Sequence, residues 1–150
     1  DADPMSALRI STDPAELDLA LVHRFLSTEA YWSRGIPQAT VARALANSLC
    51  FGAYLDGVGQ VGFARVVTDQ ATFGYLADVF VLPEHRGRGY AKQLVAALMA
   101  DPRLQGLRRV MLATADAHAL YAGVGFHAPA RPEVLMEIHR PDVYTRGEAS

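Results

Sequence analysis

The sequence predicts an α/β fold of the α+β kind: a mixed, mostly antiparallel sheet flanked by helices. Three observations carry that prediction. Two tight turns, Asp56-Gly57-Val58-Gly59 and Asp69-Gln70-Ala71, join three successive apolar runs as hairpins and leave no room for helices between them. Two segments before those runs and one after them repeat apolar residues at helical spacing. A strand–helix–strand unit then follows, so the sheet is mixed rather than a pure meander.

Residues 8–11 read as a short first strand. Thr12 or Asp13 can cap the next helix, with Pro14 at its first position. Leu17, Leu21, Val22, Phe25 and Leu26 carry that helix to about Ser27. Tyr31-Trp32-Ser33-Arg34-Gly35-Ile36-Pro37 breaks the spacing and reads as a loop, and Val41, Ala44, Leu45 and Leu49 mark a second helix. Strands are expected at 51–55, 61–68 and 73–82, the last stopped by Pro83. A helix over 87–100 ends at Asp101-Pro102. Residues 110–114 are apolar enough for a strand buried on both faces. A short helix from Asp116 to about Gly123, an open loop with Pro129 and Pro132, and a last strand over 134–138 complete the order.

The whole chain, 1–150, is read as one domain with one core. Asp1 to Pro4 read as a remnant of expression with Met5 as the native start, and 140–150 as a polar, frayed tail. The net charge of −2 offers no general basic surface, so no nucleic-acid partner is expected. No apolar stretch is long enough for a bilayer, so no membrane partner is expected either. One cysteine, Cys50, cannot form an internal disulfide, and a reducing cytoplasm is the expected compartment. Its apolar setting favours a buried, inert thiol. The five histidines lack ligand spacing, so no metal is expected.

Chemistry concentrates in Asp78-Val-Phe-Val-Leu-Pro-Glu-His-Arg-Gly-Arg-Gly-Tyr-Ala-Lys92. A strand runs into a loop of glycine and arginine that opens a helix. Amides at a helix start have no intrahelical acceptor and lie at the positive end of the helix dipole. Gly87 and Gly89 let an anion approach closely, and Arg86, Arg88 and Lys92 add charge, so the loop suits a diphosphate. A dinucleotide-binding loop would need a third glycine where Lys92 stands, and an acid near Val110-Met111-Leu112.

Arg86-Gly87-Arg88-Gly89-Tyr90-Ala91 resembles the acetyl-CoA signature of the GNAT family of N-acetyltransferases, written Arg/Gln-x-x-Gly-x-Gly/Ala. The approach Val81-x-Pro83-x-x-Arg86 is similar too. A second block, Ala117-His-Ala-Leu-Tyr121-Ala-Gly-Val-Gly125-Phe126, resembles the family's Leu-Tyr-x-x-x-Gly-Phe segment, and the likeness spans residues 8–138. The resemblance implies the acyl-CoA N-acyltransferase fold, with central strands splayed around a pantetheine arm. It implies acetyl-CoA as acyl donor and direct transfer to an amine of a small molecule or peptide, by a monomer or homodimer. Backbone at Val79, Phe80 and Val81 would pair with pantetheine amides, and amides from Gly87 to Lys92, including Tyr90 and Ala91, would hold the pyrophosphate. Tyr121 matches the family's tyrosine acid, which protonates the departing thiolate.

Asp78 is a carboxylate in an apolar strand, either a general base or a structural acceptor. Ala77 precedes it where polyamine-type members carry Glu, which disfavours polyamines as acceptors. Asp116 reads as a helix cap, and His118, three residues before Tyr121, either faces the site or is a surface or packing group. Tyr31 and Trp32 are candidates for the acceptor pocket, where they either stack on substrate or pin their loop to the core. A catalytically silent acyl-CoA sensor or docking module on the same fold is the alternative function.

Overall fold

In the computed structural model, which describes residues 7–145, the two predicted hairpins form the body of a five-stranded sheet. Strands β1 (Arg9–Ser11), β2 (Leu49–Leu55), β3 (Gly59–Thr68) and β4 (Phe73–Val81) pair antiparallel in chain order. Strand β5 (Arg109–Met111) joins β4 in parallel. Helices α1 (Leu19–Thr28) and α2 (Gln38–Ala46) pack on one face, where Val22, Phe25, Leu26 and Val41 meet Phe63 and Phe80. On the other face Leu94, Val95 and Leu98 of α3 (Tyr90–Met99) meet Phe51, Val61, Val66 and Leu76. Helix α4 (His118–Ala122) adds Tyr121 to that second cluster.

Local chemistry moves several expected boundaries. Asp13 accepts from the Ala15 amide and Pro14 begins only a single 3-10 turn through Glu16; Leu17 is then extended. A second cap, Asp18, takes the Leu21 amide and starts α1. Helix α2 stops at Ala46 because Asn47 Nδ2 donates to the Arg43 carbonyl and Ser48 Oγ to that of Ala44, at 2.9 and 2.7 Å. Leu49, expected in that helix, therefore opens β2. Gly89 takes a left-handed φ of 78°, so α3 begins at Tyr90 rather than at Gly87.

Three expectations fail in the second half. β5 spans three residues and is the edge of the described sheet, not a strand buried on both faces. Residues 134–138 form no strand: a 3-10 turn at Pro132–Val134 leads into chain without a ladder, with Met136 97% exposed. Apolar alternation there specifies extension, but a strand also needs a neighbouring edge. The start of the tail is not frayed, because Tyr144 packs on the α1–α2 cluster. The rest of the tail, and residues 1–6, lie outside the described residues.

A bulge in β4 creates the opening that matters for function. Phe63 pairs with Phe80 and Arg65 with Ala77, so Asp78 and Val79 together face Ala64 alone. Asp78 sits at φ 56°, a left-handed conformation uncommon outside glycine. β4 pairs with β5 from Phe73 to Tyr75, and among the described residues no strand lies on that side of it beyond Tyr75. The two strands splay at this point.

Candidate active site

Two clefts follow the splay. One, of about 290 Å³, lies between the end of β4 and the start of α3; the other, of about 370 Å³, lies between the middle of β4 and the segment after β5. Val81 and Leu120 border the first, Val79 and Tyr121 the second, so β4 and α4 serve both. Phe80, between the two valines, points the other way and stacks on Phe25 with ring centroids 3.9 Å apart.

The first cleft is built from His85, Arg86, Gly87, Gly89, Tyr90, Ala91 and Lys92. Among the described residues, no acceptor meets the amides of Gly87, Arg88, Gly89 and Tyr90; the first bond closing onto the loop runs from Gln93 N to the Gly89 carbonyl. A Cβ built on Gly87 or Gly89 would meet nothing within 4 Å, so the loop presents open space to a ligand. His85 Nδ1 is shielded from solvent and has no partner there. Free amide donors, a helix start and Lys92 together give the turn the features that favour an anion. Arg86 Nε donates to the Val81 carbonyl at 2.9 Å and ties strand to loop, with its charge at the border of the cleft. Arg88 belongs to the loop but does not border the cleft.

The second cleft brings together Tyr31, Trp32, Asp78, Val79 and Tyr121, residues up to ninety positions apart in the chain. Ser33 anchors the loop carrying the first two, its buried Oγ donating to the Leu26 carbonyl at 2.8 Å. Trp32 Nε1 then donates to Asp78 Oδ1 at 2.8 Å, while the indole stays 44% exposed. The residue is pinned along one edge and open along its face. Asp78 Oδ2 accepts from Arg65 Nε and Nη2 at 2.9 and 2.8 Å, in an ion pair largely closed off from water. Both carboxylate oxygens are thus engaged, which compensates the strained backbone beneath them.

Tyr121 is buried and meets Phe126 edge-on. Burial raises its phenol above the ordinary value, with Asp116 and Tyr31 adding to the shift. The phenol therefore keeps its proton through neutral pH and can donate it. Asp116 does not cap α4: Thr114 Oγ1 takes the Ala117 amide instead, and Asp116, exposed, borders the cleft. His118 is exposed and borders neither cleft.

Arg65, Tyr75 and Tyr144 also line the second cleft and were not expected there. A lone arginine in an otherwise apolar strand was a usable signal, since a buried cation implies a buried anion such as Asp78. Tyr144 had no comparable mark. Cys50 is buried, its thiol pushed up to about 11 by burial, and borders neither cleft. Among the described residues there is no cluster of metal-ligating side chains and no helix long and apolar enough to cross a membrane.

Comparison with known proteins agrees with this architecture. The acetyltransferase (GNAT) family model matches residues 10–126. A Gibberella zeae protein, FG08082, assigned to the acetyltransferases, is 39% identical over 133 residues, covering 75% of this chain and 74% of its own. The crystal structure of a GNAT-family protein from Xanthomonas campestris pv. campestris superposes with a TM-score of 0.90 and 57% identity, over 94% of this chain and 99% of that one. AAC(6')-Iy, solved with the bisubstrate analogue CoA-S-monomethyl-acetylneamine, superposes with a TM-score of 0.61 and 25% identity, over 90% of this chain and 99% of that one. With a splayed sheet and a glycine-lined helix start at the matched positions, the chain belongs to the acetyltransferase (GNAT) family, which draws its acetyl group from acetyl-CoA.

Proposed function

We propose that this protein transfers an acetyl group from acetyl-CoA directly to a neutral amine, with Tyr121 as the general acid. The observation that carries the proposal is a buried, protonated phenol on the short helix that borders both clefts. When bound, acetyl-CoA supplies the thioester whose carbonyl carbon the amine nitrogen attacks and whose carbon–sulfur bond breaks. Amides of Gly87, Arg88, Gly89 and Tyr90 hold the diphosphate, with Lys92 beside them. The β4 edge at Val79 and Val81, unpaired beyond Tyr75, offers backbone groups to an amide chain lying along it. Tyr121 gives its phenolic proton to the leaving sulfur, and the amine's surplus proton passes to water in the open cleft. No covalent enzyme intermediate is required.

Asp78 serves this scheme as a positioning residue. Its oxygens are engaged by Trp32 and Arg65, leaving it poorly placed to take a proton, while it sets the indole at the cleft wall. Asp78→Asn should cost about 1–3 kcal/mol of stability, read by urea unfolding, because Arg65 loses its counter-charge. The pH dependence of kcat/KM should keep its ascending limb, set by deprotonation of the acceptor amine. A stable Asp78→Asn enzyme that has lost that limb would make Asp78 the base after all.

The activity itself is tested by thiol release from acetyl-CoA across a panel of primary amines. Release that depends on the amine, with an acetylated amine found by mass spectrometry, is the expected result. Tight acetyl-CoA binding without release on every amine would instead identify an acyl-CoA sensor.

A further inference from the structure

The charges around the second cleft do not balance. Among the described residues, Arg65 is the one cationic side chain on its wall. Its guanidinium is already matched, with Nε and Nη2 on Asp78 and Nη1 donating to Ser48 Oγ at 3.2 Å. Asp116 also borders the cleft, and among the described residues its carboxylate has neither an ion pair nor a hydrogen bond. Asp116 is exposed, and among the described residues it is the one charge on this wall without a charged partner.

The same cleft has an unusual amount of open aromatic surface. Tyr31 is 56% exposed, Trp32 44% and Tyr75 37%, and Tyr144 completes the wall. Tyr31 and Trp32 meet at 90° with centroids 5.1 Å apart, so their faces form a corner rather than a stack. Hydrogen bonding to Asp78 fixes the indole in that corner. Perpendicular ring faces beside an unpaired carboxylate are the surroundings that hold an organic cation. Packing alone does not explain them, because buried aromatics would serve packing better.

From this geometry we infer that the acceptor carries a second, permanent positive charge besides the amine it presents, seated against Tyr31, Trp32, Tyr75 and Tyr144 and facing Asp116. The inference rests on the acetyl-transfer reading of the cleft. The seated cation cannot be the reacting amine, which must be neutral to attack a thioester. Among the described residues the wall has no free cation to receive an anionic acceptor, and only a cationic acceptor gains from the Asp116 carboxylate. A volume of about 370 Å³ accommodates a small acceptor in which a few bonds separate the two groups.

Three primary amines of similar size test this: (3-aminopropyl)trimethylammonium, its carbon isostere without the quaternary charge, 4,4-dimethylpentan-1-amine, and 3-aminopropylphosphonate. Affinity for each is measured by calorimetry on the CoA-loaded protein, and kcat/KM is measured with acetyl-CoA and referred to the neutral-amine concentration. The cation is expected to exceed its isostere by about tenfold in both measures, the range of a partly desolvated cation–π contact. In Asp116→Asn and in Trp32→Leu the ratio of cation to isostere should fall towards one, whatever the absolute rates. A wild-type ratio near one, or a preference for the phosphonate, overturns the inference and leaves acetyl transfer standing. Should no amine be acetylated, the acetyl-transfer reading fails, and calorimetry still decides whether the cleft selects a cation.

Discussion

Replacing Gly89 with valine is expected to weaken acetyl-CoA binding by roughly 10–100-fold, the loss of one or two charge-assisted hydrogen bonds to the diphosphate. Gly89 stands at the turn into α3 with φ 78°, and among the described residues, its chain neighbours aside, nothing lies within 4 Å of the Cβ it lacks. A Cβ there meets no described neighbour, and a branched side chain on it occupies the space through which an anion reaches the amides. The left-handed backbone adds strain of about 1–2 kcal/mol for a residue with a Cβ. Thermal unfolding without ligand separates that strain from the effect on binding. Arg88→Ala is the matched comparison: Arg88 belongs to the loop without bordering the cleft, so its loss should change affinity much less. A folded Gly89→Val protein that binds acetyl-CoA like the wild type would place the diphosphate elsewhere.

The parts of this site readable from sequence are those whose chemistry is local. Gly87 and Gly89 between a strand and a helix announce an anion-binding turn because glycine, turn and helix start are consecutive in the chain. Asp78 was visible as a carboxylate out of place in an apolar strand. What it does there was not, because Trp32 lies 46 positions earlier and Arg65 belongs to another strand. The bulge depends on those same distant partners, so the splay itself has no signature in strand periodicity. Residues 110–114 and 134–138 were misjudged for a related reason. Apolar alternation reports an extended chain and says nothing about whether an edge is available to pair with. Tyr144 was assigned to a frayed tail from the polarity of its neighbours, yet one aromatic ring packed on the α1–α2 cluster fixes the segment around it.

Tyr121→Phe tests the central claim most directly, because the proposed role resides in one oxygen atom. The ring, its edge-on contact with Phe126 and its place in the core are kept. The raised phenol pKa sets the pH window. An acid whose pKa is raised loses its proton only above the ordinary tyrosine range, so through neutral pH the wild-type rate should climb with amine deprotonation alone. The measurement is single-turnover acetyl transfer by acetyl-CoA-loaded enzyme mixed with a saturating amine, which reads chemistry free of product release. With the acid removed, the rate should fall by about 10²–10⁴-fold, while acetyl-CoA affinity stays near that of the wild type. A Tyr121→Phe enzyme that transfers acetyl at nearly the wild-type rate would contradict the assignment.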